Sequence, residues 1–121
     1  MSLSKEVTFI IPIVRDDLIE DCLKSLYKHT PHNFYVCVIA QSKKGLPKDI
    51  IDKYIHMYIR PRRNLGFAKA TNTGIKLVET PYFCMCNDDV IFINRQWWQG
   101  VLDTFKKVGE ATPNRPAVLV N

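Results

Sequence analysis

Apolar positions along the chain fall into short unbroken runs that alternate with stretches where they recur every three or four residues. Residues 6–13 (EVTFIIPI) form a nearly continuous branched apolar run, which predicts a strand covered on both faces, with Pro12 ending its pairing. Leu18, Ile19, Cys22, Leu23, Leu26 and Tyr27 then follow helical spacing, with Asp17 and Glu20 at capping-box separation and a stop before Pro31. A second buried strand is predicted over 34–40 (FYVCVIA), a short helix from Pro47 through Ile50, Ile51 and Tyr54, and a brief third strand over 57–59. Ala68, Thr71, Ile75 and Val78 mark a helix over 67–79 that ends at Thr80-Pro81. Residues 82–86 (YFCMC) predict a fourth buried strand that runs into Asn87-Asp88-Asp89, with 90–93 continuing extended and buried. Asn94 is placed to cap a helix that buries Trp97, Trp98, Val101, Leu102, Phe105 and Val108 and stops at Gly109, before a last strand over 116–120. This alternation with short connections predicts an α/β fold, a mostly parallel sheet flanked by helices, in one domain over 1–121.

Composition narrows the class. The chain has 121 residues, 46% of them hydrophobic and 24% charged, which excludes disorder and collagen-like repetition. No apolar run approaches the roughly 18 residues needed to cross a bilayer, and no basic-then-apolar leader opens the chain, so a cytoplasmic location, free or at the periphery of a membrane, is expected. A net charge of +5 favours anionic partners such as phosphates, nucleic acid or acidic lipid, with plain solubility as the alternative. Cys22, Cys37, Cys84 and Cys86 are expected to be reduced, buried thiols; Cys84 and Cys86 share one face of a strand but lack the spacing and the histidine partners of a zinc site. His29, His32 and His56 are scattered, without the company of a catalytic triad.

Open parallel sheets bind ligands outside the carboxyl ends of their strands. Arg15-Asp16-Asp17, Gln41-Ser42-Lys43-Lys44, the basic loop 60–64 and Asn87-Asp88-Asp89 all fall at such ends. Two adjacent carboxylates at a strand tip repel each other, and a bound cation relieves that strain. Magnesium or manganese takes one or two protein carboxylates and completes its shell with phosphate oxygens and water. A rim with cations on several loops and paired acids on another therefore suits a diphosphate carried with a divalent metal. A solvated turn is the alternative for an unplaced Asp-Asp pair; its position between two apolar runs favours the metal.

The block Asn64-Leu-Gly-Phe-Ala-Lys-Ala-Thr-Asn-Thr-Gly-Ile75, followed by Tyr82-Phe-Cys-Met-Cys-Asn-Asp-Asp-Val90, resembles the central region of glycosyltransferase family 2, nucleotide-sugar enzymes of the GT-A fold. The resemblance extends from about Val7 to Val120. It implies a GT-A, Rossmann-like donor-binding portion truncated on its C-terminal acceptor side, with Mn2+ or Mg2+ as cofactor. By position, Asp89 matches the last acid of the family's Asp-x-Asp metal motif, and Asp88 is the adjacent acid, holding a metal water or the ribose. Asn87 takes the motif's first place. The resemblance further implies a nucleotide-sugar site of Pro12, Ile13, Arg15, Gln41, Asn64, Gly66, Lys69, Asn72, Asn87 and Asp88, with Gly74 shaping the adjoining helix and Gly66 allowing close backbone approach. The family commonly has an acid after the second strand where this chain has Gln41, whose amide offers both a donor and an acceptor to a base edge. Lys43, Lys44, Arg62 and Arg63 are candidate phosphate contacts, or else solvated surface charge.

Donors with UDP, GDP or dTDP, an acceptor glycan, lipid or protein, and a homo-oligomer or partner completing the acceptor side all follow from the resemblance. So does a catalytic base beyond Asn121, since Asp103 lies in a helix stripe and Glu110 at its exit. Two other classes stand beside this reading. One is a noncatalytic nucleotide-sugar-binding or interaction module. The other is a basic nucleic-acid binder, disfavoured because Phe67, Tyr82, Trp97, Trp98 and Phe105 fall mainly on core stripes and do not interleave with the cations.

Overall fold

The structure, a computed structural model, describes residues 5–111. Its elements are β1 (Val7–Ile13), α1 (Ile19–His29), β2 (Phe34–Ala40), α2 (Lys48–Tyr54), β3 (Met57–Ile59), α3 (Gly66–Ile75), β4 (Tyr82–Met85) and α4 (Trp97–Ala111). The four strands form one sheet in the order β3-β2-β1-β4, and every pair is parallel. β1 and β2 are apolar on both sides and almost wholly buried, as continuous runs of Val, Ile and Phe require.

Side-chain alternation sends β1 residues to two cores. Val7, Phe9, Ile11 and Ile13 face α1, α2 and Trp98 of α4, whereas Ile10, with Cys37 and Ile39 of β2, faces Ala70 of α3. Phe9 is the centre of the larger core, its ring 5.4 Å from Phe34, 5.9 Å from Trp97 and 6.5 Å from Trp98. The chain therefore steps from β1 outward to β3 over one face. It then returns through α3, on the other face, to place β4 on the far side of β1. That reversal is a topological switch point, and it lies between the carboxyl ends of β1 and β4.

Several sequence expectations are corrected. Pro12 does not end the β1–β2 pairing, which continues through Pro12↔Ile39 and Ile13↔Ala40. Ile10 O accepts Cys86 N from the β4 side, so the nitrogen of Pro12, two residues on, points the same way, past the last β1–β4 pair at Ile10↔Met85. The missing N–H costs the ladder nothing. Asp17 does not cap α1: Leu18 is the N-cap without a side-chain cap bond, and Asp17 is held by Arg15 instead. Helix α3 is shorter than predicted, ending at Ile75, and its inward face is Ala70, Thr71 and Gly74, with Ala68 exposed.

The fourth strand, expected to be buried, is an edge strand among the described residues, with Phe83 46% and Met85 52% exposed, and the segment after the acids is irregular, with Ile91 and Ile93 exposed. Its footing is α1: Phe92 N donates to Ser25 Oγ and Trp97 Nε1 to Thr30 Oγ1. Helix α4 runs through Gly109, which fails to stop it; Trp98 is buried and Phe105 stacks on Tyr82 at 5.2 Å. The predicted strand over 116–120 lies outside the described residues.

Candidate functional site at the carboxyl rim of the sheet

Parallel pairing delivers the carboxyl ends of β1 and β4 side by side, about 4.8 Å apart, so 14–17 and 87–89 emerge as neighbours. Asp88 is half-buried between them. Burial pushes its carboxyl above the ordinary carboxylate range, and Asp89 and Asp17 push the same way, while its own backbone N–H and Arg15 oppose. Arg15 in turn grips Asp17 through two bonds of 2.6 Å, Nε to Oδ1 and Nη2 to Oδ2. That fork raises the guanidinium pKa and lowers that of Asp17, and Asp88 adds to the former. Two carboxylates, Asp17 and Asp88, thus act on one guanidinium, with Asp89 beside Asp88. Such a set of hard oxygen donors with excess negative charge fits Mg2+ or Mn2+. Among the described residues no three His, Cys, Asp or Glu side chains converge as a ready ligand set; the one or two protein carboxylates such an ion needs beside phosphate oxygens are available at Asp88 and Asp89.

The tip carrying these acids is braced from behind. Cys86 Sγ donates to Asn87 O at 3.3 Å and Cys22 Sγ to the same oxygen at 3.8 Å. Both thiols are buried, and burial together with the Cys22 contact pushes the Cys86 pKa far up, so the pair serves as packing and weak donors. Cys37 and Cys84 are pushed up to about 11 by burial. All four are free thiols, and neither Cys84 nor Cys86 belongs to a metal cluster among the described residues.

Loops from β2 and β3 complete the rim. Ser42 Oγ donates to Asp16 Oδ1 at 2.6 Å, tying the β2 exit to the β1 exit. Arg60 donates to Ser42 O at 2.6 Å and Lys43 O at 3.2 Å, tying β3 to β2. Gln41 Oε1 accepts Leu65 N at 2.6 Å, which fixes the start of α3. One lone pair of its carbonyl is thereby used, and its NH2 group carries no bond to the described residues. Asn64 Oδ1 accepts Gly66 N in a turn where Gly66 has φ of +78°, the left-handed region that glycine occupies without steric cost. Nothing of the protein lies within 4 Å of where a Gly66 Cβ would sit, so the backbone angle, not crowding from the chain itself, is what calls for glycine.

The structure thus gathers Arg15, Asp88 and Asp89 at the switch point, with the partly and fully buried Pro12 and Ile13 beneath them and Gln41 on the adjoining strand end. Lys69 is exposed in the first turns of α3, and Asn72 is exposed about 9 Å along the helix from Gly66, away from the acids. Sequence reasoning missed the struts: Arg60, Asp16 with Ser42, and the Gln41–Leu65 bond. Nothing local marks these roles, because each bond joins loops that only the sheet brings together. Two grooves, of about 500 and 340 Å3, lie elsewhere, beside α1 at Ile91–Ile93 and around His29, His32 and Arg95. Neither holds a strand-end residue, so topology and charge place the candidate site at the rim.

Comparison with known proteins bears on the fold and the family. Over 95% of its length the chain superposes on the crystal structure of S. aureus TarS 1-349 with a TM-score of 0.66 at 19% identity, a likeness of fold. The chain spans 38% of that structure's length. No curated protein matches the chain significantly. The family model described as Glycosyl transferase family 2 matches residues 8–120, from the second residue of β1 past the end of α4, and the chain belongs to that family.

Proposed function

We propose that this chain is the donor-binding half of a larger metal-dependent glycosyltransferase that moves a sugar from a nucleoside diphosphate to a glycan, lipid or protein acceptor. The observation that supports it most is the half-buried Asp88 at the switch point, beside Asp89 and Asp17 and answered by its own backbone N–H and by Arg15. Asp89, with Asp88, would hold Mn2+ or Mg2+, which supplies charge neutralisation at the departing diphosphate. Pro12 and Ile13 floor the nucleoside pocket. Gln41 offers its amide NH2 to the base, Asn64 and Gly66 shape the loop beside it, and Lys69 adds positive charge at the start of α3. Arg15 is placed to exchange Asp17 for a phosphate oxygen. UDP, GDP and dTDP are the candidate carriers, and the catalytic base belongs to the acceptor side. Such an enzyme can work free in solution or at a membrane surface.

The test is thermal denaturation with UDP, GDP and dTDP, with and without Mn2+. One nucleotide raises the melting temperature only with the metal, and Asp89→Ala abolishes that rise while leaving the ligand-free melting temperature within about 0.5 kcal/mol of stability, as for other surface changes. A rise that survives chelation or the substitution rejects the metal assignment. Donor hydrolysis distinguishes an enzyme from a binding module.

A further inference from the structure

Charge along this chain is segregated. Between Lys53 and Val78 there are six Lys and Arg and no Asp or Glu, and residues 41–48 likewise contain Lys43, Lys44 and Lys48 without an acid. The fold brings these two acid-free segments together at the β2–β3 end of the rim. The Gln41–Leu65 bond joins them on one side and the Arg60 bonds to Ser42 O and Lys43 O on the other, so Lys43, Lys44, Arg62 and Arg63 lie between two cross-loop ties. All four are exposed, and among the described residues none is in an ion pair. Beside them Phe67, in the first turn of α3, is 59% exposed. The acids at the tip of β4 lie across the sheet, two strand spacings, about 10 Å, from the β2 loop and three, about 14 Å, from the β3 loop.

We propose that this end of the rim is a docking surface for an anionic phospholipid bilayer. Lys43, Lys44, Arg62 and Arg63 meet the headgroups and Phe67 enters the interface. The argument is one of complementarity. Four unpaired cations on two loops tied into a single surface attract an anionic leaflet, which holds them within a Debye length. One exposed aromatic among them fits insertion at the headgroup level. A nucleic-acid strand would require successive aromatic faces for its bases, and Phe67 is the one exposed aromatic in the two acid-free segments brought together here, apart from His56 and Tyr58, which are committed to β2 and Leu46. No helix among the described residues is long and apolar enough to cross a membrane, so this contact is with the surface. These cations share their two loops with Gln41, Asn64 and Gly66 of the proposed donor site, and the nucleotide arm of the experiment separates the two roles.

The experiment is sedimentation of the 121-residue chain with vesicles of phosphatidylcholine alone or with about one-third phosphatidylglycerol, at low and high salt. Binding is expected with the anionic vesicles at low salt only. Replacing Lys43, Lys44, Arg62 and Arg63 together by Gln weakens it about a hundredfold or more, and Phe67→Ser about tenfold, with melting temperatures unchanged because all five side chains are exposed. Equal binding by the four-Gln chain, no binding to anionic vesicles, or tighter binding to a single-stranded oligonucleotide at matched phosphate overturns the proposal. Excess UDP or GDP with Mn2+ is expected to leave vesicle binding intact. Displacement would make these cations donor contacts and overturn the docking surface while leaving the donor site standing. Failure of every nucleotide to shift the melting temperature would instead sink the donor site alone.

Discussion

Gly74 lies where α3 crosses the sheet, and a Cβ there would come within 2.6 Å of Ile10 Cγ2 and 3.1 Å of Ile39 Cδ1. Both neighbours are fully buried and cannot swing aside, so Gly74→Ala is expected to destabilise by about 1–3 kcal/mol, measured by urea denaturation. Gly66→Ala meets no such wall but keeps the left-handed angle, and about 1–2 kcal/mol is the expected cost. Arg60 acts through geometry. Its guanidinium spans Ser42 O and Lys43 O, which one ammonium group cannot reproduce in the same fork. Arg60→Lys therefore loses about 1 kcal/mol of stability, and if the rim binds nucleotide, the loss appears there as weaker affinity. The residue types of the site were legible in the sequence, since Asp88, Asp89, Asn64 and Gly66 stand in a recognisable order. The partners were not, because Gln41 and Leu65, or Ser42 and Asp16, meet only when strands far apart in sequence lie side by side.

Element boundaries were legible where local chemistry settles them. Pro31 and Pro47 bracket α1 and α2 as a missing N–H dictates, whereas Asp17, equally suited to capping, was taken by Arg15. At β3 the outcome turns on one ring. His56 Nδ1 accepts Val36 N at 2.9 Å while its own backbone N–H donates to Val36 O, so the neutral imidazole extends the β2–β3 ladder. Burial, and then Lys5, lowers its pKa below 6.5. A depressed histidine pKa in the folded state means that the unfolded chain takes up the proton first as pH falls. Its stabilisation is therefore complete above pH 6.5 and is lost as pH drops through the lower folded value. His56→Phe keeps a ring beside Tyr35, 5.2 Å away, but removes the acceptor. The variant should melt lower near neutral pH, and its melting temperature should fall less than that of the parent between about pH 7 and pH 5. An unchanged slope would place the acid sensitivity elsewhere.

At the scale of the molecule, β4 is an edge strand among the described residues, with Phe83 and Met85 exposed on the face that α3 leaves uncovered. Unpaired edges with apolar side chains template association. Phe83→Lys is expected to reduce self-association in sedimentation velocity with little change in folding free energy, and a variant that associates as before would exonerate this edge. The sequence alone determined the class of fold, because continuous apolar runs separated by helical stripes have few packings other than a parallel sheet between helices. It also determined the family. Strand order was beyond it. Nothing local says that β4 returns to the far side of β1, and that return sets Asp88 against Arg15 and leaves the cations of the β2 and β3 loops together across the sheet. Hydrophobic periodicity reports which face of an element is covered, but not by what. Neighbours are chosen by the packing of the whole chain, and the charges that come to share a rim are decided with them.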